Sequence, residues 1–444
     1  MDLATMDLVI SGGTVWTPNG AEKLDVGVQG GRIVALGDLS QAQTTERFDA
    51  TGLQVMPGVI DTQVHFREPG LTHKEDLNTG TAGAALGGVT AVFEMPNTKP
   101  STLTAQDMAY KVARGRASAW TDFAFFMGAA AENVNELREL ELTEGCCGVK
   151  IFMGSSTGSL LVDDPEVLEA VLRQGRRRVA VHCEDEARLT ARKPLLDKPN
   201  VSPADHPYWR DEQTALIATK RLLEVAARVG RPVHVLHVTT AEEMDFLAQH
   251  KDICTVECLP QHLTLVAPEC YERLGTFAQM NPPIRSARHQ EAIWAAVNNG
   301  VVDVLGSDHA PHTREEKARP YPASPSGMPG VQTMLPLMLE HVHQGRLTFE
   351  RLIDLTSAGP QRIYNLRDKG RIALGYHADF TLVDLTAVRV IEEDWIASRC
   401  GWSPFAGDTI HGWPKATIIR GRIVMKDDKL IGEPGGEPLR FWDV

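Results

Sequence analysis

The segment Pro57-Gly58-Val59-Ile60-Asp61-Thr62-Gln63-Val64-His65-Phe66-Arg67-Glu68-Pro69-Gly70 carries a carboxylate, an amide, an imidazole and a guanidinium at alternate positions. Val59 and Ile60 are strand formers, and strand side chains repeat every second residue, so Asp61, Gln63, His65 and Arg67 are expected on one face. Burying such a set is costly unless a metal, a substrate or a hydrogen-bond network satisfies it. Further residues of the same kind end other short apolar runs: Lys150 in Gly148-Val149-Lys150-Ile151-Phe152-Met153, His182 after Val179-Ala180-Val181, His237, and Asp308 after Leu305-Gly306-Ser307. One histidine in such a place is ordinarily a packed or surface group, and one lysine simply reaches solvent along its methylene stem. Five such residues at successive strand ends point instead to a shared metal centre.

These residues need a frame that brings strand ends together. Short apolar runs at 58–65, 91–95, 123–128, 148–153, 179–182, 233–237, 255–258 and 302–307 alternate with helical stretches, for example 211–229, where apolar residues recur at helical spacing. Eight such strands suit a (β/α)₈ barrel, an α/β fold whose active site lies at the C-terminal strand ends. Residues 7–55 read differently, as short β-rich runs punctuated by glycine turns, and the same style returns at 378–384 and 416–424. The expectation is an antiparallel β-sandwich built from both chain ends (1–56 and 366–444), enclosing a barrel domain at 57–365. Residues 313–327, rich in charge and proline, read as a loop. The Gly154-Ser155-Ser156-Thr157-Gly158-Ser159 run lacks the Gly-Lys-Ser/Thr of a phosphate loop and is expected to be a mobile loop near the site.

Composition fits this reading. A chain of 444 residues, 43% hydrophobic, suits a large barrel plus a satellite domain. With 45 basic against 58 acidic side chains, the net charge of −13 argues against nucleic acid or an anionic membrane as a partner. The seven cysteines form no C-x-x-C pair, so reduced thiols in a cytoplasmic protein are expected. No basic, apolar leader opens the chain, and no run reaches the ~18 apolar residues of a membrane span.

Across nearly its whole length the chain resembles the cyclic-amide hydrolases of the amidohydrolase superfamily, and within them the dihydroorotases. The first barrel strand of that superfamily usually carries His-x-His, where this chain has Gln63-x-His65. The resemblance implies that Lys150 is carboxylated by CO₂ to a carbamate bridging two zinc ions. One ion would be held by His65, Lys150 and Asp308, and the other by Lys150, His182 and His237. Gln63, a neutral and weaker donor, stands where a histidine completes the first shell, so one or two metals per chain are expected. Asp308 would take the proton of the attacking water and pass it to the leaving nitrogen.

The motifs Phe66-Arg67-Glu68-Pro69-Gly70 and Met95-Pro96-Asn97-Thr98 are similar to dihydroorotase motifs, in which Arg67 and Asn97 would hold a substrate carboxylate. By the same likeness Asn281, in Asn281-Pro282-Pro283-Ile284-Arg285, would lie by the pyrimidine ring, and Gly330, in Ser326-Gly327-Met328-Pro329-Gly330, would bring backbone groups to the substrate. His312 follows on the next loop and is a further candidate for substrate contact, His309 is read as support, and His234 as structural because alternation sets it opposite His237. The alternative for Arg67 is a salt bridge to Glu68 or Asp61. The expected activity is zinc-dependent, reversible hydrolysis of dihydroorotate to N-carbamoyl-L-aspartate in pyrimidine synthesis, by a homo-oligomer (dimer or tetramer). The rival readings are a hydantoinase, dihydropyrimidinase or allantoinase, or a catalytically silent scaffold for a transcarbamoylase.

Overall fold

Eight short runs of mostly apolar residues, buried along their length, form one parallel sheet in sequence order. In chain order these barrel strands are β1 (Val59–Val64), β2 (Val89–Glu94), β3 (Asp122–Gly128), β4 (Cys146–Phe152), β5 (Val179–His182), β6 (Val233–Val235), β7 (Cys254–Cys258) and β8 (Val304–Leu305). The structure is a computed structural model describing residues 5–155 and 160–442. The expected loop at 154–159 therefore lies largely outside the described residues. The sheet closes where the His65 N–H donates to the His309 carbonyl (2.7 Å) and the Ser307 N–H donates to Asp61 Oδ1 (2.9 Å). Asp61 thus ties first strand to last, beneath the site. One face of the strands packs on the surrounding helices, as near-continuous apolar runs require. The helix Glu212–Val229 illustrates the local logic: the Asp211 carboxylate caps the Thr214 N–H, Gly230 ends it in the left-handed region (φ 76°), and Leu222, Leu223 and Ala226 are buried.

Two strands stop earlier than the apolar runs suggest. β6 ends at Val235 and β8 at Leu305, because His237 (φ 39°) and Asp308 (φ 43°) take left-handed backbone, as does Arg67 (φ 66°) just beyond β1. Such conformations cost a non-glycine residue about 1–3 kcal/mol, and they cluster at functional sites. The same departure overturns the alternation argument for His234 and His237. His234 lies in register with Ala180, itself in register with Lys150, and its ring meets Tyr364 (centroids 5.6 Å apart). Both histidines therefore face inward, with His234 deeper, hydrogen-bonded to Thr255 Oγ1 (2.8 Å).

Strands from both chain ends share one seven-stranded sheet: Gln54–Pro57 pairs antiparallel with Phe380–Val390, which pairs with Thr409–Ile419. A four-stranded sheet made of Met6–Ser11, Asp25–Gln29, Arg32–Gly37 and Thr44–Asp49 packs on it through Leu8, Ile10, Val28, Phe48, Phe380 and Ile418. The expectation of a purely antiparallel arrangement is corrected by two parallel pairs, Met6–Ser11 with Thr44–Asp49 and Thr14–Thr17 with Gln54–Pro57. The strands between them form hairpins, so the chain returns beside its first strands in the same direction. Residues 313–327 are mostly loop but contain a one-turn helix, Arg314–Lys317, set by a capping box between Thr313 and Glu316. All seven cysteines are buried free thiols, and among the described residues no helix is long and apolar enough to cross a membrane.

Candidate active site

At the C-terminal mouth of the barrel, Gln63, His65, Lys150, Phe152, His182, His237, Asn281 and Asp308 line one narrow cavity, closed on the loop side by Ala310, Ser326 and Gly327. Every residue expected at a metal centre is thus brought together from five strands. The donors come in two pairs. His65 Nε2 lies 3.1 Å from Asp308 Oδ1, and His182 Nδ1 lies 3.1 Å from His237 Nε2. Among the described residues no three histidine, cysteine or carboxylate side chains are set to hold an ion by themselves. Lys150 is the remaining candidate donor.

Lys150 has only 1% of its surface exposed, and its Nζ has no hydrogen-bond partner and lies 4.3 Å from the centre of the Phe152 ring. Burial pulls its pKa from 10.5 down to about 7. A substantial share of the amine is then neutral and nucleophilic near neutrality. Burial also lowers the basicity of His65 and His182, and of His237 strongly, which keeps the imidazoles neutral with a lone pair available. Their hydrogen bonds fix which nitrogen that is. His65 Nδ1 meets Asn97 Oδ1 (2.8 Å), leaving Nε2 toward Asp308, while His182 Nε2 meets Glu184 Oε2 (2.9 Å), leaving Nδ1 toward His237. Orientation of a ligand imidazole by a carboxylate or amide on its far nitrogen is a usual feature of metal sites.

Glu184 is not among the residues expected from the sequence, although it stands only two residues past His182. It is fully buried, with Arg210 donating to it from Nε (3.0 Å) and Nη2 (2.6 Å). Burial opposes its ionisation, but Arg210 and His182 together outweigh that and hold the carboxyl well below its usual range. Arg210 Nη2 also donates to the Ser155 carbonyl (2.6 Å), joining the His182 support to the segment after β4. No local pattern signals Arg210, which comes from the turn between the helices His206–Trp209 and Glu212–Val229. Glu257, likewise unexpected, accepts from the His237 N–H (3.3 Å) and from Thr62 Oγ1 (2.9 Å), and burial pushes its pKa up to about 8. It is a hydrogen-bonding group below the cavity.

Gln63 Nε2 donates to Asp308 Oδ1 (3.1 Å), and its Oε1 is buried without a partner. Arg67 is 2% exposed and forms neither alternative salt bridge: Glu68 pairs with Arg114 (2.7 Å), and Asp61 serves Ser307 and Gln63. Its Nε donates to the Pro311 carbonyl (3.1 Å) and its Nη2 lies 3.4 Å from His312 Nε2; among the described residues it has no carboxylate partner. Burial draws its pKa down to about 10, so it stays cationic. His312 sits beside Arg67, bonded to Lys74 Nζ (3.1 Å) and the Ser326 carbonyl (2.9 Å), and does not line the cavity. Asn281 does, held through Oδ1 by His206 Nε2 (2.9 Å), whose other nitrogen meets the Tyr321 hydroxyl (3.2 Å). The Gly330 N–H donates to His309 Nδ1 (3.0 Å), and His309 Nε2 meets Glu75 (3.2 Å), so these two residues brace the wall.

Imidazoles, a depressed lysine and a carboxylate gathered at the C-terminal mouth of an eight-stranded parallel barrel define the class, a barrel hydrolase of the amidohydrolase type. The sequence profile described as "Amidohydrolase family" matches residues 54–424, and the chain belongs to that family. It is 36% identical over 418 residues to a dihydroorotase of Halobacterium salinarum, covering 93% of this chain and 95% of that one. It is also 31% identical to an allantoinase of Desulfitobacterium hafniense, covering 98% of both. Among solved structures, an L-hydantoinase (dihydropyrimidinase) from Arthrobacter aurescens superposes with a TM-score of 0.93 at 26% identity, covering 98% of this chain and 100% of that one.

Proposed function

We propose that the protein is a zinc-dependent dihydroorotase, opening the cyclic amide of dihydroorotate to N-carbamoyl-L-aspartate and closing it in reverse. One observation carries the choice among cyclic amides: Arg67, a buried cation beside the cavity whose hydrogen bonds go only to neutral groups. Leaving a guanidinium so placed is costly unless an anion completes it, and a substrate carboxylate is such an anion. Hydantoin, dihydrouracil and allantoin offer no carboxylate to that position.

The donor set suits zinc. The unpartnered Lys150 Nζ and Gln63 Oε1 are buried polar atoms awaiting a ligand, and a carbamate on Lys150 would add two anionic oxygens to the His65–Asp308 and His182–His237 pairs. Residues His182, His237 and carboxylated Lys150 are the better-supplied set, because Glu184 and Arg210 orient His182. Gln63 contributes only a neutral amide to the other. Zinc held there supplies Lewis acidity toward water and the amide carbonyl. The chain's own groups do the rest: Asp308, at hydrogen-bond distance from His65 and Gln63, accepts a proton from the attacking water and returns it to the leaving ring nitrogen. Asn281 is placed to hydrogen-bond the ring, and Arg67 fixes its carboxylate. With all five strand-end residues in one cavity, the silent-scaffold reading has no support in the site.

The test is zinc analysis of purified protein followed by chelation. Turnover of dihydroorotate should disappear on stripping and return with added zinc. Undiminished turnover after complete stripping would remove the metal, and turnover of allantoin, hydantoin or dihydrouracil with none of dihydroorotate would remove the substrate assignment.

A further inference from the structure

A wide cleft of about 870 Å³ opens at the opposite end of the barrel from the active site. Its floor is the N-terminal ends of β3 and β4 (Asp122, Cys146), one wall comes from the sandwich (Gly31, Arg32, His377, Arg420), and the C-terminal segment 437–441 crosses it. That segment is anchored by the Phe123 N–H to the Glu437 carbonyl (3.1 Å) and by the Leu439 N–H to the Phe123 carbonyl (2.8 Å).

The cleft inverts the charge of the molecule. A chain with 58 acidic and 45 basic side chains here presents seven cations against four carboxylates. Those carboxylates are shared out. Arg32 and Arg367 both reach Asp368 (3.2 and 3.6 Å), Lys369 (2.7 Å) and Arg420 both reach Asp122, with Lys369 also paired to Asp379 (2.5 Å), and Arg116 takes Glu144 (2.7 Å) and Glu437 (3.3 Å). The Arg440 guanidinium is in no ion pair among the described residues, and Arg177 lies over the Phe441 ring (5.2 Å), itself part of the lining. His377 Nδ1 is buried at the same place without a hydrogen-bond partner. A cleft with an excess of one sign of charge concentrates counter-ions, and guanidinium forks match phosphate oxygens in bidentate fashion. A single carboxylate substrate would not need so many cations.

We propose that this cleft binds a polyphosphate group carried by a small molecule, with a nucleoside triphosphate as the form that would also use the Phe441 ring. The site is independent of the hydrolytic centre and lies where barrel, sandwich and C-terminal segment meet, so its occupant joins all three.

Calorimetric titration of the full-length protein with tripolyphosphate, ATP and inorganic phosphate, at low and at roughly 0.3 M salt, tests it, because salt screens phosphate contacts. Tripolyphosphate and ATP should bind more tightly than phosphate, lose affinity with salt, and remain bound in saturating dihydroorotate. The double variant Arg32→Ala/Arg440→Ala, which touches no residue of the hydrolytic site, should keep its basal turnover and weaken polyphosphate binding at least tenfold. Phe441→Ala assigns the source: selective weakening of ATP supports a nucleotide, and equal affinity for ATP and tripolyphosphate supports recognition of the phosphate chain alone. No binding of either polyphosphate, binding undiminished in the double variant, or displacement by dihydroorotate would overturn the proposal.

Discussion

Replacing Arg67 by alanine separates substrate recognition from catalysis. A bidentate guanidinium–carboxylate pair makes two charge-assisted hydrogen bonds of about 1.5–3 kcal/mol each. Arg67 already commits Nε to the Pro311 carbonyl and turns Nη2 toward His312, so the lower end applies. A loss of about 3 kcal/mol corresponds to a roughly hundredfold fall in kcat/KM, since about 1.4 kcal/mol is tenfold. Because the carboxylate does not change during the reaction, the loss should appear in KM with kcat nearly preserved. Folding should suffer little: the variant strands one carbonyl, a cost of about 1–3 kcal/mol, but also removes a buried cation without a carboxylate partner. The assay is steady-state hydrolysis of dihydroorotate and dihydrouracil by both proteins. An unchanged kcat/KM for dihydroorotate refutes the reasoning, and so does an equal loss on both rings, which would make Arg67 a support of the site and not a receptor for the carboxylate.

Asp308→Asn keeps the shape but not the base, and should reduce turnover at saturating dihydroorotate at least a hundredfold with the melting temperature nearly unchanged; kinetics and thermal unfolding check both. Glu184→Gln should weaken zinc binding about 10- to 100-fold, measured by competition with a chromophoric chelator, because His182 loses the carboxylate that orients it; unchanged affinity contradicts that role. Lys317 anchors the loop that supplies Ser326 and Gly327 to the cavity, donating to the carbonyls of Gln279 (3.0 Å) and Pro325 (2.9 Å), and burial alone lowers its pKa to about 7 from 10.5. Between those values the unfolded chain binds the extra proton, so stability rises with pH. Relative to Lys317→Met, wild type should therefore gain stability from about pH 7 to about pH 10 in urea titrations, and a flat difference would contradict the assignment.

The barrel was readable because short apolar runs alternate with helical stretches and five of the eight runs carry a polar residue of unusual type near the end, and folded chains seldom bury such residues at strand ends unless a shared site satisfies them. His65, Lys150, His182, His237 and Asp308 share a cavity for the same reason. Alternation failed where the backbone turns left-handed at Arg67 and His237, since nothing in those residue types announces a positive φ. The Glu184–Arg210 support is hidden in the sequence because its partners come from different elements and meet only in the folded chain. The parallel pairs of the sandwich depend on where the intervening hairpins return, which strand propensity does not encode.

The central claim is that the site selects a cyclic amide by its carboxylate. Dihydroorotate and dihydrouracil have the same ring and differ only in that group, so the ratio of their kcat/KM values with the zinc-loaded protein measures the claim directly. The account predicts a preference for dihydroorotate of about a hundredfold or more, from the bidentate Arg67 contact. Equal values, or a preference for dihydrouracil, would contradict it.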